Sequence, residues 1–396
     1  MLLFGSSHTD QDITMTDWIW QHPNWTQFTW DAHRIQPLLI RAYHVQGTLL
    51  GASHSLSHED RELTLDTLLQ NIITSSAIEN EQLNASSVRS SLARRLNLVA
   101  TGKVTQVTEG LAEVMLDAVN NINTPLTLER LFQWHTWLFP LSEQGFKPVL
   151  VGTLRGEEPM QVVSGRIDRP KVHFEAPPRE RLNTEMNQFL AWFSQSQNDS
   201  QLDKLIRAGI THLWFVTIHP FDDGNGRITR TITDLALAQA DQHSIRLYAM
   251  SSIILQKRSQ YYTLLESTQR GTPDITHWLE WFLQTLIESC ESALNGIQRV
   301  VNKTRFWQKF RDTGLLAEQA KVLNRLLDGG EKGFEHGISA AQYQTVAKVS
   351  KATATRHLTD LLAKGYLQKM AGGGRNTRYQ VKIDVANHPL TTSSHS

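Results

Sequence analysis

His219-Pro220-Phe221-Asp222-Asp223-Gly224-Asn225-Gly226-Arg227-Ile228-Thr229-Arg230 is the stretch on which the reading of this chain turns. Trp214, Phe215, Val216 and Ile218 run up to it, and Ile232, Leu235, Ala236 and Leu237 resume helical spacing beyond it. The spacing predicts a loop between two buried helices, with the loop opening the second. That junction suits an anion. Gly224 and Gly226 have no β-carbon, so backbone N–H groups can approach phosphate oxygens, and a helix N-terminus adds positive potential. Asn225 offers an amide donor. Arg227 and Arg230, three apart, share a helix face and can grip one polyphosphate together. Asp223 would oppose a bare phosphate but fits Mg²⁺, which takes one or two carboxylates with substrate phosphates and water. His219, with an ordinary pKa near ~6.5, suits a general base for a hydroxyl nucleophile. The implied chemistry is attack of a hydroxyl on a nucleotide phosphate. A Gly-rich capped loop with surface charges leaves that set of residue types unexplained.

The rest of the chain sets the frame. Its 396 residues suggest two or three domains, and 40% hydrophobic with 20% charged residues excludes a wholly disordered polymer. With 39 Lys and Arg against 39 Asp and Glu, binding of nucleic acid or membrane through bulk positive charge is ruled out, though a local basic patch is not. Cys290 is the single cysteine, which excludes an intrachain disulfide and a Cys-rich zinc site and favours a reducing compartment. Residues 1–16 lack the basic stretch and apolar run of a secretory signal. The longest apolar run, Leu213 to Ile218, is far short of the ~20 residues of a spanning helix. A cytoplasmic location without membrane contact is expected.

Helical spacing dominates, so the chain is expected to be mainly α. Residues 17–47 are rich in aromatics (Trp18, Trp20, Trp25, Phe28, Trp30, Tyr43), read as the core of a small helical domain. Leu65, Leu68, Leu69, Ile72 and Ile73 mark an amphipathic helix over about 64–80. Ser200 with Asp203 resembles a capping box, and Thr272-Pro273 reads as an N-cap followed by an N1 proline. Between Pro148 and Pro178, the runs 149–151, 161–163 and 172–174 look like strands of a hairpin-like insertion. After Arg311 the order is helix, helix, helix, hairpin, as in a winged helix-turn-helix. The expected divisions are a Trp-rich N-terminal domain over 1–100, a helical core over 101–296, a linker helix over 297–314, a winged helix-turn-helix over 315–384 and a flexible tail over 385–396.

At every specified position, His219 to Arg230 matches the signature of the Fic family of nucleotidyltransferases: His, any residue, Phe, any residue, Asp or Glu, Gly-Asn-Gly-Arg, two residues, Arg. It is not the Doc-type kinase variant, which has Lys where Gly226 stands. The resemblance implies a Fic helical core with a β-hairpin flap, and transfer of AMP from ATP to a Ser, Thr or Tyr hydroxyl of a protein with release of pyrophosphate. It implies that His219 is the base and that Asp223 holds Mg²⁺ or Mn²⁺. By the same resemblance Gly224, Asn225, Gly226 and Arg227 hold phosphates, and Arg230 grips the γ-phosphate. The hairpin resembles the family's flap, with Val162, Val163, Ser164 and Gly165 beside the nucleotide and a protein target paired along about 159–174. Tyr261-Tyr262 resembles the tyrosines of the adenine and ribose pocket, with Gln269 where some relatives carry Asn; its spacing reads equally well as core.

Ser75-Ser76-Ala77-Ile78-Glu79-Asn80 matches the family's inhibitory signature, Ser or Thr, three residues, Glu, then Gly or Asn. The implied contact is Glu79 on Arg230, with Ser75 on the same helix face and Asn80 closing the motif. Trp18 to Pro23 looks like a domain that often precedes such cores. The resemblance covers roughly Leu65 to Gly296. The C-terminal winged helix, with Lys348, Lys351, Arg356, Lys364, Lys369, Arg375 and Arg378, leaves DNA, a protein contact or a homodimer open. The leading expectation is a self-inhibited protein adenylyltransferase. A DNA-binding regulator with a silent or sensing Fic core, or a hydrolase that removes AMP with Glu79 positioning water, stands as the alternative.

Overall fold

A computed structural model describes residues 18–54, 60–100, 102–140, 149–166, 169–241, 247–310, 314–329, 334, 336–370 and 377–382. Arg375 and the tail expected over 385–396 lie outside these residues. The chain divides into two compact units, 1–293 and 294–396. The Trp-rich region and the helical core fall in the same unit. Among the described residues, no helix is long and apolar enough to cross a membrane.

The first unit opens with a short 3₁₀ turn, Ile19–Gln21, followed by α1 (Ala32–His54), α2 (Asp60–Ile78), α3 (Ala85–Arg95), α4 (Gln106–Asn120) and α5 (Leu128–Leu138). The hairpin β1 (Gln161–Arg166) and β2 (Arg169–Glu175) comes next. Then follow α6 (Arg179–Ser196), α7 (Lys204–Ile218), α8 (Asn225–Asp241), α9 (Met250–Gln256), α10 (Arg258–Gln269) and α11 (Thr276–Lys309). Every residue of α7 from Leu205 to Ile218 is buried, so this helix is apolar all round and forms the centre of the unit. Gly209 lets α11 come close to it: an added β-carbon would lie 2.8 Å from Leu279 Cδ2. Trp278 Nε1 of α11 donates to the Gly209 carbonyl oxygen at 2.8 Å, so the contact is also satisfied in hydrogen bonds.

Of the aromatic N-terminal segment, Trp18, Trp20 and Trp25 are core as expected, Phe28 and Trp30 are partly buried, and Tyr43 on α1 is exposed. Trp25 and Phe28 pack edge-on against Trp214 of α7, and Trp18 packs edge-on against Phe174 of β2. Trp20 Nε1 donates to the Glu175 carbonyl at 2.7 Å, tying the segment to the hairpin.

Three local expectations need correction. Asp203, not Ser200, caps α7: its Oδ1 accepts from the N–H groups of Leu205 and Ile206 at 2.8 and 3.3 Å. α11 begins at Thr276, not at Pro273, because residues 273–275 run extended beside Thr29. The Thr29 N–H donates to the Pro273 carbonyl, and the Ile275 N–H to the Thr29 carbonyl. Residues 149–151 form no strand, because their neighbourhood bonds to side chains instead. The Leu150 N–H donates to Asp222 Oδ2 and the Gly152 N–H to His135 Nδ1, each at 3.1 Å.

α11 runs unbroken to Lys309, so most of the expected linker helix is its continuation. The second unit adds α12 (Ala317–Asp328), α13 (Ala340–Ala347), α14 (Lys351–Ala363) and the antiparallel pair β3 (Leu367–Lys369) and β4 (Tyr379–Val381). Its core holds Phe306, Val322, Leu323, Tyr343, Leu358 and Tyr366 among others.

Candidate active site

The site is built where α7 hands over to α8. α7 ends at Ile218, and His219 takes the left-handed conformation, φ 52°, with its N–H still bonded to the Phe215 carbonyl. That turn points the half-buried imidazole out of the helix line. His219 Nδ1 lies 3.1 Å from the Val216 carbonyl oxygen. A carbonyl only accepts, so Nδ1 carries the hydrogen and Nε2 is the basic nitrogen. Burial pushes the imidazole pKa below its ordinary value, outweighing the Val216 hydrogen bond that favours the charged form.

Three side chains hold the loop's shape, and two of them carry no sign of it in the sequence. Asn225, 2% exposed, receives the Phe221 N–H on Oδ1 at 2.9 Å and donates Nδ2 to the Phe221 carbonyl at 2.7 Å. Its amide, expected to reach phosphate, is turned inward to clamp the loop. Arg155 donates Nε to the His219 carbonyl at 2.9 Å and Nη2 to the Pro177 carbonyl. His135 stacks on Phe221 with ring centroids 4.3 Å apart and reaches the Asp223 carbonyl with Nε2 at 3.1 Å. Because Gly152 N–H donates to His135 Nδ1, the hydrogen sits on Nε2. Burial lowers the His135 pKa, consistent with a neutral ring.

Gly224 sits at φ +79°, and a β-carbon there would meet Phe139 Cε2 at 2.8 Å. Gly224→Ala is therefore expected to lower the melting temperature, with a backbone strain of about 1–3 kcal/mol. An unchanged melting temperature would show that the loop relaxes without cost. Asp222 and Asp223 are exposed, and Asp223 Oδ1 receives the Gly224 N–H at 2.5 Å.

Both arginines are buried and already engaged. Arg230, on α8, donates Nε to Ser75 Oγ at 2.8 Å, and Nη2 to the Ser75 carbonyl at 2.9 Å and to Glu79 Oε1 at 2.8 Å. Arg227 donates Nη1 to Glu81 Oε2 at 2.7 Å and lies over the Phe139 ring. The Glu79 carboxylate lies over Gly226, where a β-carbon would be 2.1 Å from Oε1 and 3.2 Å from Arg230 Nη1. Arg230 Nη1 and Arg227 Nε are buried without hydrogen-bond partners. Burial pushes the Glu79 carboxyl up, but Arg230, then Arg227 and the Tyr262 hydroxyl, together hold it below the usual carboxylate range. It is a carboxylate seated in an anion cradle.

The turn after α2 explains how Glu79 gets there. α2 stops at Ile78, one residue before Glu79, and Asn80 takes the left-handed conformation, φ 63°. The Asn80 and Glu81 N–H groups donate to the Ala77 and Ser76 carbonyls, the paired bonds of a left-handed C-cap. A residue tolerant of positive φ, Gly or Asn, is what that position needs. The same turn delivers Glu81 to Arg227, a residue that lies just past the motif and was not singled out from the sequence.

The tyrosine pair divides. Tyr261 is 1% exposed, stacks on Trp281, and bonds His212 Nε2 through its hydroxyl at 2.9 Å. Burial pushes its pKa well up. It is core. Tyr262 is 36% exposed, with its hydroxyl 3.3 Å from Glu79 Oε2. Gln269 is buried, donating to Thr217 Oγ1 at 3.2 Å.

In the hairpin, Val162 pairs with Phe174, Val163 with Val172, Ser164 with Lys171 and Gly165 with Pro170, with an irregularity between Val162 and Val163. β2 is anchored: Arg270 donates to the Val172 carbonyl at 3.2 Å, and His173 Nδ1 lies 2.6 Å from Glu266 Oε2. Val163 on β1 is half exposed.

Residues 125–237 match the model of the Fic/DOC family, and residues 18–98 match that of a domain of unknown function, DUF4172. Over 117 residues the chain is 32% identical to a uridine 5'-monophosphate transferase of Xanthomonas campestris pv. campestris, covering 28% of this chain and 21% of that protein. Over 86 residues it is 36% identical to the protein adenylyltransferase Fic of Drosophila grimshawi, covering 22% of this chain and 16% of that protein. The matches thus span about a fifth of these relatives' lengths. A crystal structure of a Fic family protein from Desulfovibrio desulfuricans G20 superposes with a TM-score of 0.51 at 20% identity, covering 88% of this chain and 96% of that one. It shares the fold.

Proposed function

From a chain that belongs to the Fic/DOC family through residues 125–237, we propose a protein adenylyltransferase held in check by its own Glu79. The observation that carries this reading is the carboxylate over Gly226, in contact with Arg230 and flanked by two buried guanidinium nitrogens without partners. A buried unpaired donor costs about 1–3 kcal/mol, so the cradle is unsatisfied by Glu79 alone and suits a group with more oxygens, a polyphosphate.

In the active form His219 Nε2 takes the proton of a Ser, Thr or Tyr hydroxyl on the target protein. The hydroxyl oxygen bonds the α-phosphorus of ATP, and the bond to the β-phosphate oxygen breaks, releasing pyrophosphate. Backbone N–H groups at the start of α8, with Arg227, take the phosphates, and Arg230 takes the γ-phosphate once Glu79 leaves it. Asn225, Arg155 and His135 hold the loop so that these donors need no rearrangement. The target segment lies along residues 159–174, where β1 offers an edge for main-chain pairing. Among the described residues, no three His, Cys, Asp or Glu side chains could together hold a metal ion. Asp223 is exposed beside the loop and fits a Mg²⁺ carried by the phosphates; bound there, the ion would neutralise phosphate charge.

The depressed His219 pKa fixes a pH dependence. The rate should rise with pH as the imidazole loses its proton and be level by neutral pH. The acid limb of kcat/KM is therefore expected below pH ~6.5, and a limb centred above that value would contradict the assignment.

The deciding experiment incubates the purified chain and Glu79→Gly with α-labelled ATP or UTP, Mg²⁺ and cell lysate. Both nucleotides are needed because the relatives differ in the nucleotide their names carry. Protein-bound label from ATP supports the reading; label from UTP alone keeps the site and changes its nucleotide; no label from either overturns transfer.

A further inference from the structure

Charge is unevenly spread along this neutral chain. Residues 336–384 hold eight Lys and Arg but two Asp, an excess of six cations, which leaves the remaining residues with an excess of six acids. Lys348, Lys351, Arg356, Lys369, Arg378 and Lys382 are all exposed.

The local architecture presents part of that charge on one helix. α13 and α14 are joined by the short turn 348–350, with Lys348 left-handed at φ 56° and Ser350 Oγ capping the Thr353 N–H. α14 buries Ala354, His357, Leu358 and Leu361 and exposes Lys351, Ala352, Thr355, Arg356 and Thr359. The acid on this helix, Asp360, is engaged by Lys364 at 2.9 Å and by Gln319 at 2.8 Å. Arg378 is tied by Nη1 to the Gly337 carbonyl at 2.9 Å, so it serves the unit's own structure. The exposed face of α14 is thus short side chains, hydroxyls and cations.

We propose that the C-terminal unit binds duplex DNA, with α14 entering the major groove, Lys348 and Lys351 on backbone phosphates and Arg356 reaching base edges. A helix with a narrow, small-residue face fits the B-form major groove, which the A-form groove of duplex RNA does not admit. A second helix that follows a tight turn and leads with its N-terminal residues is the docking arrangement of helix-turn-helix proteins. Among the described residues of 336–382, no large hydrophobic side chain is exposed, so the face lacks the apolar anchors of a protein or membrane contact.

The test is fluorescence anisotropy of the full chain with a 30-bp random-sequence DNA duplex, titrated from 50 to 200 mM salt. Binding is expected with non-specific affinity of about 10⁻⁶–10⁻⁴ M that falls steeply with salt. Lys348→Ala with Lys351→Ala should reduce the salt slope by about two, whereas Lys321→Ala on α12 should leave it unchanged. Lys351→Arg should retain the slope, which separates charge loss from misfolding. Absence of duplex binding at 50 mM salt, an equal affinity for duplex RNA, or an equal effect of Lys321→Ala would each overturn the proposal. The last would leave bulk charge, not α14, as the cause. None of these outcomes bears on nucleotide transfer.

Discussion

His219→Ala, introduced into the Glu79→Gly background so that there is activity to lose, is expected to lower nucleotide transfer by ~10²–10⁴-fold, the usual yield of a general base. The fold should survive. The imidazole is half buried at a helix end, and its Nδ1 bonds the carbonyl of Val216, three residues back. The bonds that shape the loop run through the backbone of 219–221: the Arg155 N–H to the Pro220 carbonyl, Arg155 Nε to the His219 carbonyl, and Asn225 to Phe221. Alanine keeps all of them. At φ 52° alanine is somewhat less favoured than His, so a slightly earlier melt with an intact fold is expected. The measurement is label transfer beside a thermal melt. Transfer at the parent rate by a fully folded variant would mean that another group takes the proton; loss of transfer with a collapsed melt would be answered by His219→Gln, which retains a polar side chain.

Legibility from sequence followed the range of the interactions. The 219–230 loop could be read because its glycines, arginines and flanking apolar helices are contiguous, and their roles follow from local spacing. Glu79 was legible through the family signature that Ser75, Glu79 and Asn80 match; the left-handed turn at Asn80 that delivers it was not. His135 and Arg155 were not readable. Each acts on loop carbonyls across a long sequence gap, and nothing near either residue distinguishes it from an ordinary helix or loop side chain. Asn225 reads from sequence as a phosphate donor, because an amide one residue from a phosphate-binding glycine looks like a ligand group; that its oxygen and one amide hydrogen clamp the Phe221 backbone is not legible from spacing. The tyrosine pair could not be divided by periodicity alone. Adjacent helical residues point about a quarter-turn apart, which puts Tyr261 against Trp281 and leaves Tyr262 at the site. The start of α11 slipped for a related reason: the helix begins at Thr276, where the backbone leaves its pairing with Thr29, which local propensity does not report.

Glu79→Gly is expected to raise automodification and target labelling strongly, because it releases Arg230 for the γ-phosphate. The argument can be made to fail in a double-mutant cycle. Arg230→Ala should be inactive, and the gain from Glu79→Gly should vanish in its presence, since both changes act through one 2.8 Å contact. Glu81 adds a second arm to the same turn, paired with Arg227 at 2.7 Å but with a carboxylate about two-fifths exposed. Glu81→Gln should therefore derepress only partly, as should Ser75→Ala, which removes one hydrogen bond of about 1.5–3 kcal/mol to a charged group. Stability supplies an independent reading. Removing the Glu79 carboxylate leaves Arg230 buried and unpaired, at a cost below the roughly 3–5 kcal/mol of a fully buried pair because Glu79 is about a third exposed. Its apo form should melt earlier than wild type, and ATP should restore more of the loss than it adds to wild type, because the phosphates replace the missing anion. Derepression without that differential ATP effect would place the inhibitory role of Glu79 somewhere other than on Arg230. An unchanged activity across Mg²⁺ and Mn²⁺ would remove the inhibitory role itself and leave the ion pair as packing between α2 and α8.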